Sequence, residues 1–118
     1  MTHKTKVEIK RVYEEPAPQD GVRLLVDRLW PRGLSKERAH VHRWVKEIAP
    51  SDELRHWFGH APDKWQEFRR LYARELQDQR PLLDELRELA SKEHVTLLYA
   101  AHDQEHNNAV VLKELIEQ

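Results

Sequence analysis

Two short segments concentrate the side chains able to do chemistry. The first is Asp27-Arg28-Leu29-Trp30-Pro31-Arg32-Gly33. The guanidinium groups of Arg28 and Arg32 offer planar forks of donors that match a phosphate or carboxylate, and Gly33 has no Cβ to hold a ligand away from the backbone. Asp27 can accept a proton, hold a ribose hydroxyl or coordinate a metal; it can equally satisfy loop N–H groups or orient Arg28. Trp30 can stack on a base or ring, or support an arginine through a cation–π contact. The second segment is Ala101-His102-Asp103-Gln104-Glu105-His106-Asn107-Asn108. His106 is expected in the first turn of a helix, where its neutral form is favoured and suits a general base. Asn107 and Asn108 can read a polar ligand, or do the capping work usual for Asn at helix starts.

Other chemistries find less support. His102 and His106 are four apart, a metal-ligand spacing on a helix, but Asp103 is expected to cap that helix and leave His102 outside it. His40 with His42, and His56 with His60 about Gly59, form no recognised motif, so no metal site is expected. Ser35 and Ser51 each precede a helix, and no Gly-x-Ser-x-Gly surrounds either. Both read as N-caps, although either, Ser35 or Ser51, could contact an anion through the amides it caps.

The elements that would position these groups alternate. Val7 to Tyr13 reads as a strand near a sheet edge, and Glu14–Gly21 (EEPAPQDG) as a loop. Val22–Arg28, with its Leu24-Leu25-Val26 run, reads as a strand buried on both faces, stopped by Trp30-Pro31-Arg32-Gly33. A short helix over Lys36–His40 follows. Val41–Ile48 fits either a helical face or a strand; the strand is preferred because it completes a β-α-β unit. Ser51 opens a helix ended by Gly59. Trp65, Phe68, Leu71, Tyr72 and Leu76 mark an amphipathic helix to about Gln79, and Pro81 restarts helix with Leu82, Leu83, Leu86, Leu89 and Ala90 on one side. Val95–Ala100 (VTLLYA) is the clearest central strand, and Ala109, Leu112, Leu115 and Ile116 form the core side of a last helix. The fold class is therefore α/β, with a mainly parallel central sheet flanked by helices. Ligands of such sheets bind beyond the carboxyl ends of the strands, where both segments fall; Ala49-Pro50-Ser51 is a third such end.

Composition narrows the partners. A chain of 118 residues suits one domain over residues 1–118. The absence of Cys excludes disulfides, a thiolate zinc site and a cysteine nucleophile. No apolar run approaches the ~18 residues of a membrane span, and the opening MTHKTKVEIK lacks the apolar region of a signal peptide, so a cytoplasmic location is expected. The net charge of −1 argues against nucleic acid or an anionic membrane as partner. It divides into +3 over residues 1–60 and −4 over 61–118. Residues 23–38 hold five cations, Arg23, Arg28, Arg32, Lys36 and Arg38, against Asp27 and Glu37, and four of the five surround the 28–33 loop.

VDRLWPRGLSKERA, WVKEIAPSDELRHWFGH and VTLLYAAHDQEHNNAVVL resemble the YeaO-like family of uncharacterised bacterial proteins, over Lys10 to Leu115. The resemblance implies a small α/β domain and no particular activity. It also favours the strand at Val41–Ile48. More distantly related domains place an Asp-Val-Arg-like strand end where Val26-Asp27-Arg28 stands, and a Cys-His-Arg-like motif where His106-Asn107-Asn108 stands. This chain lacks that Cys, so thiol chemistry does not carry over, and His102 becomes peripheral.

These readings converge on a domain that binds a small anionic molecule, phosphate- or nucleotide-like, at the strand carboxyl ends. Arg28, Trp30, Arg32, Gly33, Ser51, Asn107 and Asn108 are the candidate binding residues. If there is turnover, His106 or Asp27 is the acid or base, and hydrolysis or group transfer the reaction. A non-catalytic interaction or regulatory module, with the Trp and Arg residues facing a protein, is the rival. The sequence points to no cofactor and leaves the oligomeric state open.

Overall fold

A computed structural model of the chain describes residues 6–118; residues 1–5, half of the opening stretch examined for a signal peptide, lie outside it. Four strands, β1 (Val7–Arg11), β2 (Val22–Leu25), β3 (Arg43–Trp44) and β4 (Val95–Tyr99), form one sheet in the order β1-β4-β2-β3. Every pairing is parallel, with Leu97 of β4 opposite Ile9 on one side and Leu24 on the other. The expected α/β fold is the observed one. All five residues of β4 are buried, as a parallel strand covered on both faces requires, and β1 lies at an edge as its alternation indicated.

Five helices complete the fold: α1 (Lys36–Ala39), α2 (Asp52–Phe58), α3 (Trp65–Leu76), α4 (Arg80–Lys92) and α5 (Asn108–Glu117). Ser35 and Ser51 cap α1 and α2, their hydroxyls accepting from the amides of Arg38 and Leu54. Pro81 sits in the first turn of α4, where its missing N–H costs nothing. The alternation of β4 divides the core. Val95, Leu97 and Tyr99 pack with α2 to α5 around Phe58, Phe68, Tyr72 and Leu112, whereas Leu98 joins Val12, Leu25, Ala39, Trp30 and Trp44 in a smaller cluster. No helix of the described residues is long and apolar enough to cross a membrane.

The strand expected over Val41–Ile48 is shorter than expected. Only Arg43 and Trp44 pair with β2, and Lys46–Ile48 forms a 3-10 turn. The Trp44 indole donates to the carbonyl of Asp27 at 2.8 Å, and the Val45 amide to that of Leu25 at 2.8 Å. The turn beyond then buries both Val45 and Ile48 in the main core, whereas continued extension would send residues at odd separation to opposite faces.

A polar node ties the end of the sheet remote from the proposed site. Arg23, buried, donates to Asp20 at 2.6 Å and to the carbonyls of His40 and Ala39 at 3.0 and 2.8 Å. Lys10 reaches both Asp20 oxygens at 3.2 Å, and Thr96 donates to the Asp20 carbonyl at 2.7 Å. Gly21 follows with φ +66°; a Cβ there would stand 2.2 Å from the His94 carbonyl oxygen.

Candidate functional site

Beyond the carboxyl ends of β2 and β4 lies a cleft of about 600 Å3, within the range typical of small-molecule sites. Asp27, Arg28, Trp30, Arg32, His106, Asn107 and Asn108 all line it; Gly33 and Ser51 do not.

Asp27 stands two residues beyond the end of β2, and its carboxylate is held from two sides. One oxygen accepts from the Ala100 amide at 2.9 Å, the other from the Asn108 side chain at 3.1 Å, and Asn108 also donates to the Val26 carbonyl at 2.9 Å. Burial raises the Asp27 pKa above the ordinary carboxylate value; the two hydrogen bonds and the charges of Arg55 and His60 oppose that rise without cancelling it. Asp27 thus fastens the ends of β2 and β4 to the start of α5. It does not pair with Arg28, which donates to the carbonyls of Pro50 and Ala49 at 3.2 and 3.3 Å and stands 3.9 Å from Asp52. Arg32 is exposed, and its guanidinium has no partner among the described residues. The Trp30 indole donates to the Leu34 carbonyl at 2.6 Å and meets Trp44 edge-on at 5.5 Å, so the ring is a fixed part of the wall.

The second segment departs from expectation. Asp103 does not cap α5. Its Oδ1 accepts from the amides of Glu105 and His106 at 2.9 and 3.0 Å, and its Oδ2 meets His106 Nδ1 at 2.8 Å. Its pKa lies below the ordinary value because the Glu105 amide, then the His106 ring, favour the carboxylate. Asn107 is the cap: its Oδ1 accepts from the Val110 amide at 3.1 Å and its Nδ2 donates to the Asp103 carbonyl at 2.9 Å. His106 therefore precedes the helix, and the Asp103 carboxylate, not the helix terminus, sets its surroundings. Its ring stands edge-on to Trp65 at 5.2 Å.

Gly33 adopts φ +78° with open space about it, which assigns it to the turn. Ser51 faces elsewhere: its amide and hydroxyl donate to Glu75 of α3 at 2.9 and 2.5 Å, so its anion-binding capacity is spent within the chain. Replacing Ser51 by Ala is expected to lower stability by about 0.5–2 kcal/mol, the range for a lost cap, and to leave phosphate binding unchanged in a paired denaturation and titration experiment.

Six lining residues fall outside the three candidate segments: Tyr13, Arg55, Phe58, His60, Phe68 and Ala100. Arg55 carries the most chemistry. Its Nη2 donates to Asp52 at 3.0 Å, while its Nε is buried and has no hydrogen-bond partner among the described residues. His60 has a left-handed backbone, φ 58°, beside Gly59 at φ 53°. The one sequence signal for either residue was the Gly59 helix stop, which turns the chain back past the sheet end. No group of three or more His, Cys, Asp or Glu among the described residues is placed to hold a metal.

Comparison with known proteins adds kinship. The family described as the inactive DUF488-N3 subclade matches residues 6–118. An uncharacterised protein of Mycobacterium tuberculosis is 42% identical over 116 residues, 98% of each chain. The uncharacterised protein YeaO of Escherichia coli is 41% identical over 108 residues, 92% of this chain and 94% of its own. No solved structure matches the chain.

Proposed function

We propose that this chain, which belongs to the YeaO-like proteins and to the inactive DUF488-N3 subclade, binds a small phosphate- or nucleotide-like anion in the cleft without transforming it. The observation that carries this reading is Arg55, a residue of the cleft lining whose Nε–H is buried with no partner among the described residues. Such a donor costs free energy unless something accepts from it. Arg32, whose guanidinium has no partner among the described residues, and Arg28 line the same cleft, and together they favour an anion.

The absence of turnover rests on the lining. It contains no Ser, Thr, Cys or Lys, and the Tyr13 hydroxyl donates to the Arg32 carbonyl at 2.9 Å. Asp103 and His106 form an oriented acid–imidazole pair, but no side chain of the lining supplies a nucleophile for covalent catalysis; the ester-turnover test below covers water activated by His106. Asp27 has a fixed donor on each oxygen. The subclade's description as inactive agrees with this reading.

The test is titration of inorganic phosphate followed by phosphorus NMR. The wild type should bind, and Arg55→Gln should weaken binding about tenfold, the loss of one charge-assisted hydrogen bond. Unchanged affinity in the variant, or no binding by the wild type, refutes the proposal. Turnover of a phosphate ester abolished in His106→Ala would refute the non-catalytic part.

A further inference from the structure

The cleft holds more than an anion site. We infer that its ligand is an aromatic anion, a flat apolar ring carrying a phosphate or similar group; the inference rests on the anion reading above and specifies what the anion is attached to. Large apolar side chains are seldom left in water without reason when they cluster about a concavity. Among the described residues, three large hydrophobic side chains are exposed: Leu29, Tyr13 and Trp57. Two of them, Leu29 at 61% and Tyr13 at 43% exposure, line this cleft.

Half-buried Trp30 continues that surface, and buried Pro31, Phe58 and Phe68 back it. Trp30 and Pro31 follow Leu29, and Phe58 and Phe68 stack at 4.3 Å between ring centroids on the far side. These rings are fixed before any ligand arrives. Trp30 is bonded to Leu34, and Phe68 packs against both Phe58 and Tyr72 in the core. A preformed aromatic wall favours a flat partner, which meets rings by offset or edge contact without ordering new rotamers.

Size points the same way. A bare oxyanion displaces only a few waters, each with ~30 Å3 of liquid volume, whereas the cleft encloses about 600 Å3. Most of an oxyanion-filled cleft would still hold water against Leu29, Tyr13 and Trp30. A ring attached to the anion removes that water, and the arginines of the cleft, Arg28, Arg32 and Arg55, remain for the charged end.

The experiment compares inorganic phosphate, phenyl phosphate and n-butyl phosphate on the full chain by the same NMR titration, with Leu29→Asn as the variant. Leu29 is exposed, so the substitution leaves the core intact. Phenyl phosphate is expected to bind at least tenfold more tightly than inorganic phosphate and severalfold more tightly than n-butyl phosphate. Leu29→Asn should reduce the phenyl phosphate advantage while leaving inorganic phosphate affinity as it was. Equal binding of phenyl phosphate and inorganic phosphate overturns the ring and spares the anion site. Equal binding of the phenyl and butyl esters overturns the aromatic preference. Failure of all three to bind overturns the anion reading, and the inference falls with it.

Discussion

Asp20→Ala should lower the unfolding free energy by about 3–5 kcal/mol at neutral pH, the range for stripping one partner from a buried ion pair. The size of the loss follows from what remains. Arg23 is 2% exposed, and its charge cannot reach water when the carboxylate 2.6 Å away is gone. The carbonyls of His40 and Ala39 still accept from it, but neutral acceptors do not balance a buried cation. Burial opposes ionisation of Asp20, yet the Ala17 amide, Lys10 and Arg23 together bring its pKa below the ordinary carboxylate value. A lowered native pKa contributes stability above the unfolded-state value, and that stability is lost as pH falls toward the native one. The gap between wild type and Asp20→Ala, measured by urea denaturation across pH, should therefore close as the solution is made acid. A gap of the same size at every pH would show that the loss is packing and not charge.

That node also shows where sequence reading stops. Counting charge over residues 23–38 groups Arg23 with Arg28 and Arg32, although only the latter two reach the cleft. Arg23 lies in β2 and turns inward, serving α1 directly and β1 and β4 through Asp20. Nothing local marks this, since the carbonyls it satisfies lie 16 and 17 residues away. Features governed by neighbours were legible. Leu24-Leu25-Val26 and VTLLYA have too little polarity for anything but buried strands, and Ser35, Ser51, Gly59 and Pro81 each act on the turn beside them.

The candidate site was half legible for the same reason. Strand-end residues follow from the strands, so Asp27 to Arg32 and His106 to Asn108 could be placed together. The partition of roles could not. Asp103 and Asn107 are both able to cap a helix, and the choice of Asn107 depends on Asn108 reaching Val26 and Asp27, 82 and 81 residues away. Arg55 was invisible because α2 reads as a helix with Leu54 and Phe58 inward. That Arg55 also faces the strand ends depends on Phe58 stacking upon Phe68.

Asp27→Ala is the second large effect, expected at about 2–3 kcal/mol at neutral pH. It removes the acceptor of the Ala100 amide and one acceptor of Asn108, and bonds to a charged group contribute ~1.5–3 kcal/mol each. Relief of the buried charge offsets part of the sum. Its pH dependence should run opposite to that of Asp20→Ala. The Asp27 pKa is raised by burial, against the pull of Ala100, Asn108, Arg55 and His60. A raised native pKa makes the stabilisation fullest below the unfolded-state value, with part of it lost as pH rises through the native value. The wild-type advantage over Asp27→Ala should thus shrink from acid to neutral pH, while the advantage over Asp20→Ala grows over the same range. Two carboxylates in one small sheet, at opposite ends of β2, would then report opposite slopes in one urea series. Parallel slopes would mean that Asp27 is held ionised by the arginine and histidine beside it. The raised native pKa of Asp27, and with it the opposite slope, would then be abandoned.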